Sequence, residues 1–344
     1  MKKANYLLIV MAAALMSSCA KDVPTVDKGY HQESFEAWMR NNEPGAVKVG
    51  NIYIKYIERN ANPSAYRVKV DTSWVMMNYT GRTLDGDVFI TRSESVAHRI
   101  GIWRPNVHYS DDFRGVSASD NFFNLGIVEG LQNMNEGDSA RIFFPGKVGF
   151  TTNISEAGYG GNQYNYVGFP AMMDIRLKYI TSNPYRFEMD SLAKFARSQW
   201  GQEPRDTISF SIYMKKVKEN PTGDPITKDS NVRIFYEQYF LDDFPLDTNN
   251  DSIAREMGIY DEEKSFRYES LYFRPFETGY EDVFSYAALN MRRGEVADVV
   301  VISARGTLAN KGNSASSPAV VAGPYTPSRY RIYVLRRGTL TIEN

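Results

Sequence analysis

Apolar residues along this chain follow two periods. Ile52, Ile54 and Tyr56 alternate with their neighbours, and an apolar run covers residues 299–302; both patterns predict strands. Elsewhere the spacing is helical. Glu33-Ser34-Phe35-Glu36-Ala37-Trp38-Met39 opens polar and sets apolar side chains at 35, 38 and 39, and Asp190-Ser191-Leu192-Ala193-Lys194-Phe195 repeats the pattern. Acidic and hydroxyl residues at the start suit a helix N-cap. Two Ser-x-Ala-x-x-x-Gly segments, residues 95–101 and 252–258, predict short helices closed by a C-terminal glycine.

These matched segments belong to an internal repeat. Residues 75–103 align without a gap on 232–260 at an offset of 157, with nine of 29 positions identical, among them Tyr79/Tyr236, Asp85/Asp242, Ala97/Ala254 and Gly101/Gly258. The same offset relates Asn133, Met134 and Gly137 to Asn290, Met291 and Gly294, and it also pairs Pro170 with Pro327 and Ile175 with Ile332. Each unit is therefore the size of one domain, with expected bounds of 33–182 and 183–344. The units abut through residues 181–190, which include Asn183-Pro184 and no low-complexity linker; this predicts a fairly rigid pair. Residues 306–325, rich in Gly, Ala, Ser and Pro, read as a long loop.

The N-terminus carries Lys2 and Lys3, an apolar run over residues 6–16, and Ser17-Ser18 ahead of Cys19, the single cysteine. A basic start, a short apolar stretch and small residues at a cleavage point predict a secretory leader over residues 1–18, because a bilayer span needs about 20 apolar residues. Cysteine at that point resembles a lipobox, with Met16 where the pattern usually has Leu. An ordinary leader with an incidental thiol is the plainer alternative. The expectation is a lipidated Cys19 and a solvated tether through residue 32. Ala20, not Asp, follows the cysteine, and Cys19-Ala20-Lys21-Asp22 resembles a charged export signal, so the predicted location is the outer membrane, on its periplasmic or cell-surface face.

The formal net charge of −1 leaves no basic excess for nucleic acid or an anionic lipid surface. An aromatic content of 13% favours strands and supplies rings for apolar pockets. Only His31, His98 and His108 carry imidazole, and none lies in an H-x-H or H-x-x-x-H arrangement, so neither a metal nor a cofactor is expected. The carboxylate pairs Asp111-Asp112, Asp242-Asp243 and Glu262-Glu263 are expected to be solvated loop charges.

One stretch of the first unit is more specific. Tyr79-Thr80-Gly81-Arg82-Thr83-Leu84-Asp85-Gly86 leads into Val88-Phe89; Glu129-Gly130-Leu131-Gln132-Asn133-Met134-Asn135-Glu136-Gly137-Asp138 follows, then Arg141-Ile142-Phe143-Phe144-Pro145 and Asp174-Ile175-Arg176-Leu177. In that order, across residues 75–180, these motifs resemble the FKBP-type peptidyl-prolyl cis-trans isomerases. The second unit shares the resemblance through the repeat, although it has Asp242-Asp243 where the family has Asp-Gly and lacks the Glu-Gly pair. The resemblance implies an α+β chain of two tandem FKBP-like domains, each an antiparallel half-barrel sheet wrapped around a short helix, with a short helix preceding. Residues 91–121 are longer than the family's segment, which predicts a lid or a partner-binding surface at the pocket rim.

The resemblance also implies a pocket. In the first unit it falls on Tyr79, Phe89, Phe123, Ile127, Phe150 and Met173, and in the second on Tyr236, Leu246, Asp247, Phe284 and Tyr330. Ile90 stands where the family has an acid, Ile127 where it has Trp, and Phe150 where a Tyr hydroxyl would meet the substrate carbonyl. Filling of a half-barrel core by these side chains is the alternative at each position. The implied function is a membrane-anchored, weakly active prolyl isomerase and folding assistant acting on X-Pro segments of envelope polypeptides. Its rival is a catalytically degenerate binding subunit of an outer-membrane assembly or export complex. A carbohydrate-binding surface lipoprotein rests on scattered aromatics alone.

Overall fold

The computed structural model of the protein describes residues 32–62, 64–105, 107–117, 124–150, 154–155, 163–164, 168–201, 207–209, 212–276, 282–302 and 336–343. The expected leader, Cys19, the expected tether up to residue 31 and the expected loop at 306–325 lie outside them.

After an opening helix α1 (Gln32–Asn42), the first half runs β1 (Val47–Val49), β2 (Ile52–Glu58), β3 (Trp74–Thr83), β4 (Val88–Thr91), α2 (Glu94–Arg99), β5 (Asp112–Gly115), α3 (Leu125–Gln132), β6 (Ser139–Phe144), a small ladder of β7 (Ile154–Ser155) and β8 (Gln163–Tyr164), and β9 (Ala171–Thr181). The second half runs α4 (Pro184–Trp200), β10 (Thr207–Ser209), β11 (Ile212–Lys218), β12 (Val232–Phe240), β13 (Pro245–Thr248), α5 (Asp251–Glu256), β14 (Leu271–Phe273), α6 (Asp282–Leu289), β15 (Val296–Val301) and β16 (Arg336–Ile342). Two seven-stranded antiparallel sheets result, ordered β1-β2-β6-β9-β3-β4 with β5 also on β3, and β10-β11-β15-β16-β12-β13 with β14 also on β12. Strand for strand the two orders are the same, so the sequence repeat is a repeat of topology.

Period-two burial builds each sheet. Along β12 the side chains of Val232, Ile234, Tyr236, Gln238 and Phe240 are buried in turn, and the first three join one helix in a single apolar cluster. That helix is α3 in the first half, where Ile127, Val128 and Leu131 are buried, and α6 in the second, where Val283, Phe284, Ala287 and Ala288 are. Gly126 and Gly130 let α3 lie close on β6: a Cβ at Gly126 would press on Phe144, and one at Gly130 would overlap Ile142. At the equivalent positions of α6 stand Val283 and Ala287.

A buried carboxylate pins the same turn in both halves. Asp138 accepts from the backbone N–H of Asn60 and Asn135 at 2.6 and 2.7 Å. Glu295 accepts from the N–H of Asn220 and Arg292 at 3.3 and 2.8 Å. The predicted glycine-closed helices are present, with Gly101 and Gly258 at φ +74° and +69°, the left-handed region that glycine enters without a Cβ penalty.

Three expectations need correction. The segment from 183 to 190 is the first turns of α4, not a connection: the Asn183 side chain accepts from the Arg186 N–H and Pro184 occupies the first turn, where its missing N–H costs nothing. The offset of 157 fails in the last strand. Tyr79 faces Ile175 in β9, but its counterpart Tyr236 faces Leu340 in β16, so Ile175 corresponds to Leu340 and not to Ile332. The long segment after Thr91 is not simply a lid over a rim; much of it is built into the protein. It forms α2, adds β5 to the sheet, and carries His108 across to the second half.

There His108 is buried against the β12–β13 hairpin. Its Nε2 lies 2.7 Å from Asp242 Oδ2, and its ring sits 4.4 Å from the Phe240 ring and 4.6 Å from the Phe244 ring. Phe113 of β5 packs on Phe187 of α4 at 4.7 Å.

Candidate functional site

In the concavity of the first sheet, the sequence places Tyr79 on β3, Phe89 on β4, Ile127 on α3, Phe150 beyond the 3-10 turn that follows β6, and Met173 on β9. The structure brings all five into one apolar cluster, none of them more than 3% exposed. The Phe150 ring meets Phe89 and Phe144 edge-on at 5.8 and 5.7 Å, a favoured aromatic geometry. These rings and side chains are buried against one another. Phe123 lies outside the described residues.

The polar part of this site was not visible in the sequence. The Tyr79 hydroxyl donates to Asp112 Oδ2 at 2.6 Å. Asp112 is fully buried on β5 and takes a further hydrogen bond from the Arg92 guanidinium, with Arg114 Nε at 3.4 Å on its other side. A buried carboxylate needs such partners, because an isolated charge in low dielectric costs several kcal/mol or more. Burial pushes the Tyr79 phenol well above the ordinary tyrosine range, and the Asp112 charge beside it pushes the same way. The expectation that Asp111-Asp112 are solvated is therefore overturned for Asp112. Asp111 is half-buried, paired with Lys178 at 2.7 Å and accepting from Asn78.

The second half reaches the same contact by another route. Tyr236 donates to Asp247 Oδ2 at 3.0 Å, and Asp247 is the β13 counterpart of Ile90. The β14 residue facing Ile234 is Leu271, whereas the β5 residue facing Met77 is Asp112. Each tyrosine thus has one carboxylate, from β5 in the first half and from β13 in the second, and an apolar residue fills the other position in each. Tyr236 packs on Phe284 at 5.6 Å, both buried, while Leu246 and Asp247 are partly buried. Tyr330 lies outside the described residues. In register, the counterpart of Met173, which faces Gly81, is Gly338, which faces Gln238.

At the head of α3, Asn124 caps the helix by accepting from the Ile127 N–H at 2.8 Å, and its buried amide Nδ2 has no acceptor among the described residues. Of the carboxylate pairs at the surface, Glu262 and Glu263 are exposed, and Asp243 sits at φ +69° in the β12–β13 turn. Among the described residues, no group of three or more His, Cys, Asp or Glu is arranged to hold a metal ion.

No protein-family model and no curated protein matches the chain. Among solved structures it is similar to the three FKBP domains of wheat FKBP73, at 14% identity over 86% of this chain and 94% of that one, with a TM-score of 0.27. FkpA from Escherichia coli aligns at 16% identity over 52% and 69%, TM-score 0.30. A peptidyl-prolyl cis-trans isomerase from Pseudomonas syringae aligns at 17% over 47% and 99%, TM-score 0.29. The architecture stands on the repeated strand order and the helix cradled by each sheet.

Proposed function

We propose that the protein is a tandem FKBP-like prolyl-binding protein of the cell envelope, held at the outer membrane by a lipid on Cys19, and that its second half carries a weak peptidyl-prolyl isomerase activity. The observation that supports this most is the tyrosine–carboxylate contact built twice, at 2.6 Å and 3.0 Å, beside an apolar concavity.

The chemistry asks little of side chains. The planar amide resists rotation by about 18–20 kcal/mol, and a catalyst has only to bind the twisted amide better than either planar form. A water-poor cup of rings holds the proline, and a fixed N–H or O–H donor meets the carbonyl. In the second half, partly buried Leu246 and Asp247 stand beside buried Tyr236 and Phe284, and we take this as the edge of such a cup. In the first half Phe150 supplies no hydroxyl, and the unmet amide of Asn124 is the donor at hand. Clients are X-Pro segments of envelope polypeptides.

A protease-free isomerisation assay with an X-Pro peptide, on the chain from residue 22 onward, tests this. We expect acceleration over buffer that falls on Asp247→Asn and survives Phe89→Ala. A rate equal to buffer removes the enzyme. The second reading, a non-catalytic binding subunit of an outer-membrane complex, is favoured by Ile90 and Phe150, which bring neither an acid nor a hydroxyl to the first half; it predicts co-purification of membrane partners after detergent extraction, and recovery of the chain alone counts against it.

A further inference from the structure

The head of α3 holds a donor that meets no acceptor. Asn124 is 7% exposed, and its Oδ1 accepts from the Ile127 N–H at 2.8 Å. That bond fixes the amide, because a flipped group would set N–H against N–H. The free end is Nδ2, buried and without an acceptor among the described residues. A buried donor left unmet costs its desolvation, which an arriving acceptor recovers. The helix adds a preference for charge. Its first N–H groups have no intrahelical acceptor, and the positive end of its dipole favours an anion. The first turn holds no acidic residue, and the one charged residue of α3, Glu129, has its Oε1 engaged by the Asn51 N–H at 3.1 Å. The 3-10 turn over Gly146–Val148 abuts the helix head, since a Cβ at Gly126 would lie 3.2 Å from the Val148 carbonyl oxygen. Lys147 on that turn is exposed and forms no ion pair among the described residues. Beside Asn124, Leu125 is 54% exposed, which puts an apolar side chain at the surface. At the offset of 157 the second half has Glu281-Asp282 in place of Asn124-Leu125, so the combination belongs to the first half alone.

We propose that the head of α3 binds the C-terminal carboxylate of a polypeptide that ends in an apolar residue. The carboxylate accepts from Asn124 Nδ2 and from the first N–H groups of the helix, bonds that are stronger to an ionised oxygen than to a neutral one. Lys147 draws the negative end toward the turn, and Leu125 meets the last side chain. The inference goes beyond the proposed isomerase: the ligand group is an anion and not the carbonyl before a proline, and the site stands even where no isomerisation is found.

The test uses the full chain and a Gly-Ala-Gly-Ala-Leu peptide labelled with a fluorophore at its N-terminus and free at its C-terminus. It contains no proline, so the outcome is separate from the isomerisation assay. Saturable binding is expected. It should weaken by about tenfold or more, equivalent to about 1.4 kcal/mol, when the peptide ends in an amide. A similar loss is expected in Asn124→Asp, which keeps the helix cap, since the two residues cap equally well, but sets an acid oxygen where the donor stood. Lys147→Gln should weaken binding less, and most at low salt. Absence of binding overturns the proposal, as do equal affinity for the amide peptide and full binding by a folded Asn124→Asp chain. Acetate that competes as well as the peptide does overturns the assignment to polypeptide ends. If Asn124→Asp does not fold, the acid and amide peptides on the unaltered chain and the salt-dependent loss in Lys147→Gln decide, and failure of either overturns the proposal.

Discussion

Tyr79 and Asp112 join across two neighbouring strands, hydroxyl to carboxylate at 2.6 Å, in a fully buried setting that also holds Arg92 and Arg114. Removing the acid takes a counter-ion away from two guanidiniums in low dielectric. Asp112→Ala is expected to destabilise the first half by about 3–5 kcal/mol, and Tyr79→Phe, which removes one hydrogen bond to a charged group, by about 1.5–3 kcal/mol. Urea unfolding of both variants checks the order; a larger loss in Tyr79→Phe than in Asp112→Ala contradicts it.

The same burial gives an alkaline signature. An unfolded tyrosine ionises near pH 10, whereas Tyr79 in the fold is held well above that. Its folded value is raised, so its stabilising contribution is complete below about pH 10 and is lost as pH rises toward the folded value. Ultraviolet difference absorbance should show the Tyr79 phenolate only together with unfolding, and Tyr79→Phe should flatten the alkaline fall in stability. Reversible ionisation of Tyr79 in the folded chain contradicts this.

Gly130 marks a packing limit. A methyl there overlaps Ile142 on β6, so Gly130→Ala is expected to cost about 1–3 kcal/mol through overpacking, against the small gain that alanine gives an exposed helix site. Pairing it with Ile142→Val should recover part of the loss in thermal melts. The second half has Ala287 at this position already, so Ala287→Gly should not stabilise.

Contact between the halves can be read at Asp242. His108 donates to its carboxylate at 2.7 Å and is the main cause of its lowered pKa. A depressed carboxylate contributes stability above its unfolded value, near 3.9, and that contribution is lost as pH falls through the folded value. In His108→Leu the Asp242 carboxyl should titrate closer to its ordinary range, as followed by carbon NMR. No change would mean that the two rings and the carboxylate are not held together in solution.

Much of the architecture is legible in the sequence. The offset of 157 carries α3 onto α6 and β6 onto β15 residue for residue, because helix-to-sheet packing fixes those lengths. It fails where the strand edge is free to slip. β14 meets β12 two residues out of step with the β5–β3 pairing, since Val75 faces Arg114 but Val232 faces Phe273. A gapless comparison therefore aligns Asp112 with Glu269 instead of Leu271, and the exchange of acid between strands stays hidden. The pocket residues Tyr79 and Phe89 follow from their motif, but whether their hollow is open or filled depends on how closely the rings of Phe144 and Phe150 come together, which no one-dimensional pattern records. The contact from His108 to Asp242 spans 134 residues, and neither residue carries a local sign of it.

His108, seated in the second half, lies four positions before Asp112, locked inside the first. At a reach of at most about 3.6 Å per residue, that leash extends no further than about 14 Å. Pulling the two sheets apart by more than the slack in it must either drag the imidazole off its phenyl seat or tear the carboxylate from its guanidiniums, so the halves answer to a load as one mechanical body.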